Sequence, residues 1–163
     1  RLDTAECKEA DLHEGLDDSL MLIHHDIKNR VEVVRDYGDI PPVLCYPGRL
    51  NQVFLNILNN AQQAIDGPGT ITVRTRRQGD DVHVAISDTG SGIPTELLSR
   101  IFDPGYTTKG VGAGTGLGLS ICYQIMADHD GRIDVESQQG DGSTFTVVVP
   151  IQPEVTTPDP PVD

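Results

Sequence analysis

Leucine and isoleucine recur at helical spacing through Leu12, Leu16, Leu20, Ile23 and Ile27. This apolar stripe predicts an amphipathic helix running to about Asn29. Asp11 precedes it as an acceptor at the N-cap, and Glu14 follows three residues later, the capping-box pattern. From Val31 the chain turns β-branched, "VEVVRDYG", and reads as a strand ending in glycine. Gly38, Pro41, Pro42, Pro47 and Gly48 then make a loop, interrupted only by the short apolar "VLCY". A second helix is expected from Leu50 to Ile65, closed by Asp66-Gly67-Pro68-Gly69. "TITVRTRRQ" and "DVHVAISDT" alternate apolar and polar residues around Gly79-Asp80-Asp81, which predicts a hairpin. Pro94 opens a short helix, Thr95 to Ile101, and a glycine-rich segment from Asp103 to Gly118 leads into a helix ending near Asp128. "GRIDVES" and "STFTVVVP" form a second expected hairpin around Gln139-Gly140-Asp141-Gly142. Helices interleaved with antiparallel hairpins predict the α+β class, a sheet covered by helices on one face.

The length, 163 residues, suits one domain with a proper core. Residues 1–10 read as the remnant of an upstream segment, 11–151 as the domain, and 152–163 as a Pro- and acid-rich disordered tail. Beginning at Arg1, the chain is expected to be a piece of a longer protein. A net charge of −13, from 12 basic and 25 acidic residues, repels phosphate backbones and argues against a nucleic-acid partner. A polyanionic small ligand would need a cation or local donors. Cys7, Cys45 and Cys122 are odd in number and lack metal-ligand spacing, as expected of thiols in a reducing compartment. No apolar run approaches a membrane span and no signal peptide is visible, so a cytoplasmic location is expected for the domain, whether or not its parent is membrane-anchored.

Three clusters ask for more than packing. In "LNQVFLNILNNAQQAI", Asn56, Asn60 and Gln63 share one helix face, opposite Phe54, Ile57, Leu58, Ala61 and Ile65. Asparagine is a poor helix former, and amide oxygens one turn apart suit a hard cation such as Mg²⁺; a solvated polar face is the competing reading. Asp88-Thr-Gly-Ser-Gly92 ends the strand "VHVAIS" and sets a carboxylate at a sheet rim, where it could accept from an exocyclic amine. A plain strand-to-helix turn is equally compatible. Gly110-Val-Gly-Ala-Gly-Thr-Gly-Leu-Gly118 runs into a helix N-terminus, which is phosphate-binding chemistry. It is not a P-loop, because Leu119 follows Gly118, and it does not satisfy the dinucleotide fingerprint.

Together, in this order, the clusters resemble the ATP-binding catalytic domain of sensor histidine kinases, of the GHKL superfamily shared with type II topoisomerase, Hsp90 and mismatch-repair ATPases. The resemblance spans roughly Asp11 to Pro150: an N box (Asn56, Asn60), a first glycine box (Asp88, Gly90, Gly92), an F box ("IFDPGYTTK") and a second glycine box (Gly114, Gly116, Gly118). It implies a Bergerat-fold α/β sandwich with a mixed sheet and a flexible ATP lid at about Phe102 to Thr115. It further implies that Asp88 binds the adenine amino group, with Thr144 nearby acting through water. Asn60 would ligate Mg²⁺ and Asn56 would support the metal and phosphates, while Lys109 and Gly114, Thr115, Gly116, Leu117 and Gly118 would hold the phosphate tail. Asn56 and Lys109 would be the catalytic residues. The implied partners are the parent's own dimerisation and phosphoacceptor domain and, through it, a response regulator. Two departures stand out: Gln63 where many members have Lys, and Gly105 in place of the first F-box aromatic.

Hydrolytic members of the superfamily usually carry Glu at the position of Asn56, and an amide cannot act as a general base, which favours a kinase over an ATPase. A nucleotide-binding pseudokinase is the alternative that the two departures allow. Asp-Thr-Gly-Ser also resembles an aspartic-protease motif, but that chemistry needs two such carboxylates and one copy is present. "LIHHDIKNR" resembles a phosphoacceptor motif, with His25 as the acceptor. No second bundle helix fits before Leu50, and Arg30 stands where the motif has proline. His24 and His25 are therefore expected near the C-terminal end of a scaffold helix, where a cationic imidazole suits the dipole.

Overall fold

The computed structural model describes residues 6–104 and 118–152. In chain order these form β1 (Lys8–Ala10), α1 (Leu12–Leu22), α2 (His24–Ile27), β2 (Val31–Tyr37), β3 (Val43–Cys45), α3 (Pro47–Ala64), β4 (Gly69–Gln78), β5 (Asp81–Asp88), a 3₁₀ helix (Thr95–Arg100), α4 (Gly118–Asp128), β6 (Arg132–Gln138) and β7 (Gly142–Pro150). The main sheet has five strands in the order β2-β4-β5-β7-β6, and β1 pairs with β3 in a separate ribbon. Among the described residues, only β2 against β4 is parallel. The alternation expected of the hairpins sets their faces. Val82, Val84 and Ile86 of β5 join Ile71 and Val73 of β4 and Phe145, Val147 and Val149 of β7 in the core. Helices α1, α3 and α4 cover that face, completing the expected two-layer α+β sandwich with a mixed sheet.

The stripe Leu12, Leu16, Leu20, Ile23 and Ile27 is wholly buried, but it does not lie on one helix. Regular turns stop at Leu22, and a single further turn, His24–Ile27, carries Ile27 inward. Asn29 then takes a φ of 68°, a conformation asparagine tolerates, and ends the segment. His24 and His25 therefore open a four-residue turn instead of closing a long helix, and both are exposed. What binds this segment to the domain is Arg30. Its guanidinium donates to the carbonyls of Ile65 (3.0 Å), Gly67 (3.3 Å) and Gln62 (3.1 Å), to Gln62 Oε1 (2.6 Å), and through Nε to Asp26 O (3.0 Å). The carbonyls at and just beyond the end of α3 thereby gain charged donors.

Two further differences have local causes. The second helix starts at Pro47, three residues before the expected Leu50, because proline at the first helical position needs no N–H partner and has a pre-set φ. Residues Lys8–Ala10, expected only as a lead-in, instead pair with Val43–Cys45, Lys8 standing opposite Cys45. At the other end, His129 fixes α4 to the start of α3: its Nδ1–H donates to Ile125 O (2.8 Å) and its Nε2 accepts from Tyr46 N–H (3.1 Å). Cys45 and Cys122 are buried and Cys7 is exposed, all three as free thiols.

Arg30→Ala should lower unfolding stability by about 2–3 kcal/mol in urea titrations, because carbonyls at the end of α3 lose their donors. Arg30→Lys should restore less than half of the loss, since an ammonium cannot reproduce the planar fork.

Candidate functional site

Helix α3 is buried along Val53, Phe54, Ile57, Leu58 and Ala61, which turns Asn56 and Asn60 to its edge, half-buried, and leaves Gln63 exposed. The expected shared face is present. Asn56 Nδ2 donates to the carbonyl of Gly118, the first residue of α4 (3.2 Å). This bond commits the nitrogen end of the amide to α4 and leaves Oδ1 as the end able to meet a cation. One turn further in, the Cys122 thiol reaches Val53 O (3.9 Å), and burial raises that thiol to about 11, which keeps it protonated and inert.

Asp88 ends β5 on the helix-facing side and is 7% exposed. Its Oδ1 accepts from Gly90 N–H at 2.8 Å. Burial pushes its carboxyl above the ordinary value of 3.8, while the backbone N–H groups of Gly90 and Ser143 pull it back down. The glycines after Asp88 are required by contact. A Cβ on Gly90 would stand 2.5 Å from the Ala64 carbonyl oxygen, and Gly92 has a φ of +72° and lies against Gln138. Ser91 N–H donates to Ala64 O (3.0 Å), so this loop is laid directly onto the end of α3. The end of β5 that carries Asp88 is therefore brought against the C-terminal end of α3, the helix that carries Asn56 and Asn60.

Thr144 does not join them. Asp88 stands opposite Ser143 in the β5–β7 ladder, and the next side chain points to the other face of the sheet. Thr144 Oγ1 instead lies 2.7 Å from Ser87 Oγ on that far face. Ser143, 6% exposed, is the hydroxyl beside Asp88, and strand parity was the signal that could have identified it. Lys109, Gly114, Thr115, Gly116, Leu117, the Gly105 departure and most of the expected lid lie outside the described residues. A hollow of about 260 Å³ bounded by Glu9, Asp11, Glu14, Asp18 and Asn51 sits elsewhere and contains none of the expected site residues.

The model of the family described as histidine kinase-, DNA gyrase B- and HSP90-like ATPase matches residues 45–153. The chain belongs to this family. Sensor histidine kinase ZraS of Escherichia coli K12 is 40% identical over 152 residues, covering 92% of this chain and 32% of ZraS, so the chain spans about a third of that relative. The catalytic domain of histidine kinase ThkA, free of nucleotide, superposes with a TM-score of 0.83 at 32% identity, covering 91% of this chain and 98% of that domain. ThkA in complex with the response regulator TrrA gives a TM-score of 0.78 at 29% identity, covering 91% of this chain and 42% of that one. The fold is thus that of a histidine-kinase catalytic domain, and membership of this ATPase family implies ATP binding. Among the described residues no helix is long and apolar enough to cross a membrane.

The raised pKa of Asp88 means that the folded state holds this proton more tightly than the unfolded chain does. The associated stability is complete below 3.8 and is lost as pH rises through the folded value. Asp88→Asn should therefore raise the Tm at neutral pH, with the gain shrinking as pH falls toward about 4. Scanning calorimetry across that range checks this; a gain independent of pH would refute it.

Proposed function

We propose that this chain binds ATP with Mg²⁺ and transfers the γ-phosphoryl group to a histidine on a dimerisation and phosphoacceptor domain of its parent, from which a response regulator is then phosphorylated. The observation that carries the reading is the buried carboxylate of Asp88, held at the end of β5 by Gly90 N–H, in a loop laid onto the end of the helix that carries Asn56 and Asn60. A carboxylate in that setting suits the exocyclic amine of adenine, which offers two donors and no charge. The amide oxygens of Asn60 and Asn56 would hold Mg²⁺, and the fixed direction of the Asn56 nitrogen toward Gly118 O fits an oxygen-presenting ligand. When bound, the ion neutralises charge on the transferring phosphoryl group.

The chain's own residues supply position and donors. Lys109 and the backbone at Gly114, Thr115, Gly116, Leu117 and Gly118 would bind the phosphate tail, with the α4 dipole favouring negative charge at Gly118. Asn56 has no basic group to activate water, so the attacking atom must come from outside, as a phosphoacceptor imidazole does. His25 is a poor acceptor candidate: it lies on a single turn beside α1, with no second bundle helix between it and β2. Ser143, in place of Thr144, is the hydroxyl assigned to the base. The domain would work on the cytoplasmic side, where ATP is available.

A fluorescent ATP analogue titrated with and without Mg²⁺ should bind more tightly with the ion. Asp88→Asn should weaken binding by about 100-fold or more, because an amide presents a donor and a weaker acceptor to the amine. Absence of binding would sink the reading. Mixed with labelled ATP and the parent's phosphoacceptor domain, the chain should label that domain's histidine; tight binding without labelling would instead make it a pseudokinase.

A further inference from the structure

Beyond Ser143 the hydroxyl chain continues to Ser137, which the nucleotide-site reading does not use. Ser137 of β6 stands opposite Ser143 of β7, and their Oγ atoms are 2.7 Å apart. Ser137 Oγ also accepts from Ile93 N–H at 2.7 Å and donates to Gly142 O at 3.2 Å. A serine hydroxyl has one proton. With that proton directed to the Gly142 carbonyl, which can only accept, and with the Ile93 N–H already aimed at Ser137 Oγ, the proton between the two serines must come from Ser143. Ser143 Oγ is then left with lone pairs and no free proton, next to the carboxylate of Asp88.

We propose that Ser137 is a specificity-determining positioning residue: by taking the Ser143 hydroxyl proton it makes the base end of the cleft acceptor-only, which selects a purine with an amine at its 6-position over one with a carbonyl there. The inference rests on Asp88 meeting the nucleobase. A carbonyl brought to this end would face two acceptors and no donor, and an unpaired buried acceptor is costly. Without Ser137, the Ser143 hydroxyl can turn and donate. The Ile93 bond adds a second consequence, because Ser137 thereby also holds the backbone that follows Gly92.

The test compares ATP with inosine triphosphate, which carries a carbonyl in place of the 6-amine, each displacing a fluorescent ATP analogue from the Mg²⁺-supplemented chain. The unmodified chain should prefer ATP, and Ser137→Ala should reduce the ratio of the two affinities about tenfold, the worth of one hydrogen bond. Ser137→Thr, which keeps the hydroxyl, should retain the ratio. If Ser137→Ala weakens both nucleotides equally, or neither, the hydroxyl is only structural and the proposal fails. Should circular dichroism show Ser137→Ala to be unfolded, Ser143→Ala removes the terminal acceptor directly. It must then narrow the ratio through weaker ATP binding, and an unchanged ratio overturns the proposal. Failure of the unmodified chain to bind the fluorescent analogue would instead overturn the nucleotide reading, and the proposal with it.

Discussion

The approach of the Gly90–Ser91 backbone to the end of α3 is the contact on which the site depends. Two peptide units meet there with no side chain between them: Ser91 N–H bonds to Ala64 O at 3.0 Å, and a methyl group on Gly90 would press on the same carbonyl. Because the loop sits so close, the strand that carries Asp88 and the helix that carries Asn56 and Asn60 share a boundary instead of being separated by a layer of packing. Arg30 works at the same helix end from the opposite side, pairing the carbonyls of Gln62, Ile65 and Gly67. The last turn of α3 is thus held by donors from two segments far apart in sequence. The long apolar face of the helix supplies the burial, and these polar contacts set where it stops.

Much of this was legible from residue order. Period-two alternation located both hairpins and their turns, and period-3.6 spacing located the core face of α3 and the stripe from Leu12 to Ile27. The parts that were not legible have identifiable causes. Lys8–Ala10 is too short and polar for a strand pattern and exists only because Val43–Cys45 offers it a partner. Pro47 reads as a loop residue until its position at the start of a helix is known. The break at Ile23 leaves the buried stripe unchanged, so the stripe could not report it. Within the site, Asp88 and the two asparagines were visible as residue types out of place in their elements. The choice between Ser143 and Thr144 depended on which of two adjacent hydroxyls shares a face with Asp88, and that requires the ladder register.

The acidity of the chain is also distributed in a way that composition could not reveal. Arg35, Arg49, Arg74 and Arg132 each pair with an aspartate at the surface, through Asp17, Asp128, Asp36 and Asp134. Such exposed pairs contribute little to stability. Arg30 is spent on carbonyls.

The path of the chain at β3 has a consequence for assembly. Lys8 pairs with Cys45 on one side of that strand, and Leu44 donates to Ile151 O, so the incoming and outgoing backbone of the described fold run beside the same three residues. Ile151 N–H in turn bonds to Asp80 O, at the end of β5 remote from Asp88. Eight residues of extended strand separate those two ends by about 23 Å. Among the described residues, the first and last stretches of backbone therefore meet at one pole, and Asp88 lies toward the other. Both described ends thus leave the sheet from the pole away from Asp88. A fold wired this way can be carried intact from one longer polypeptide to another.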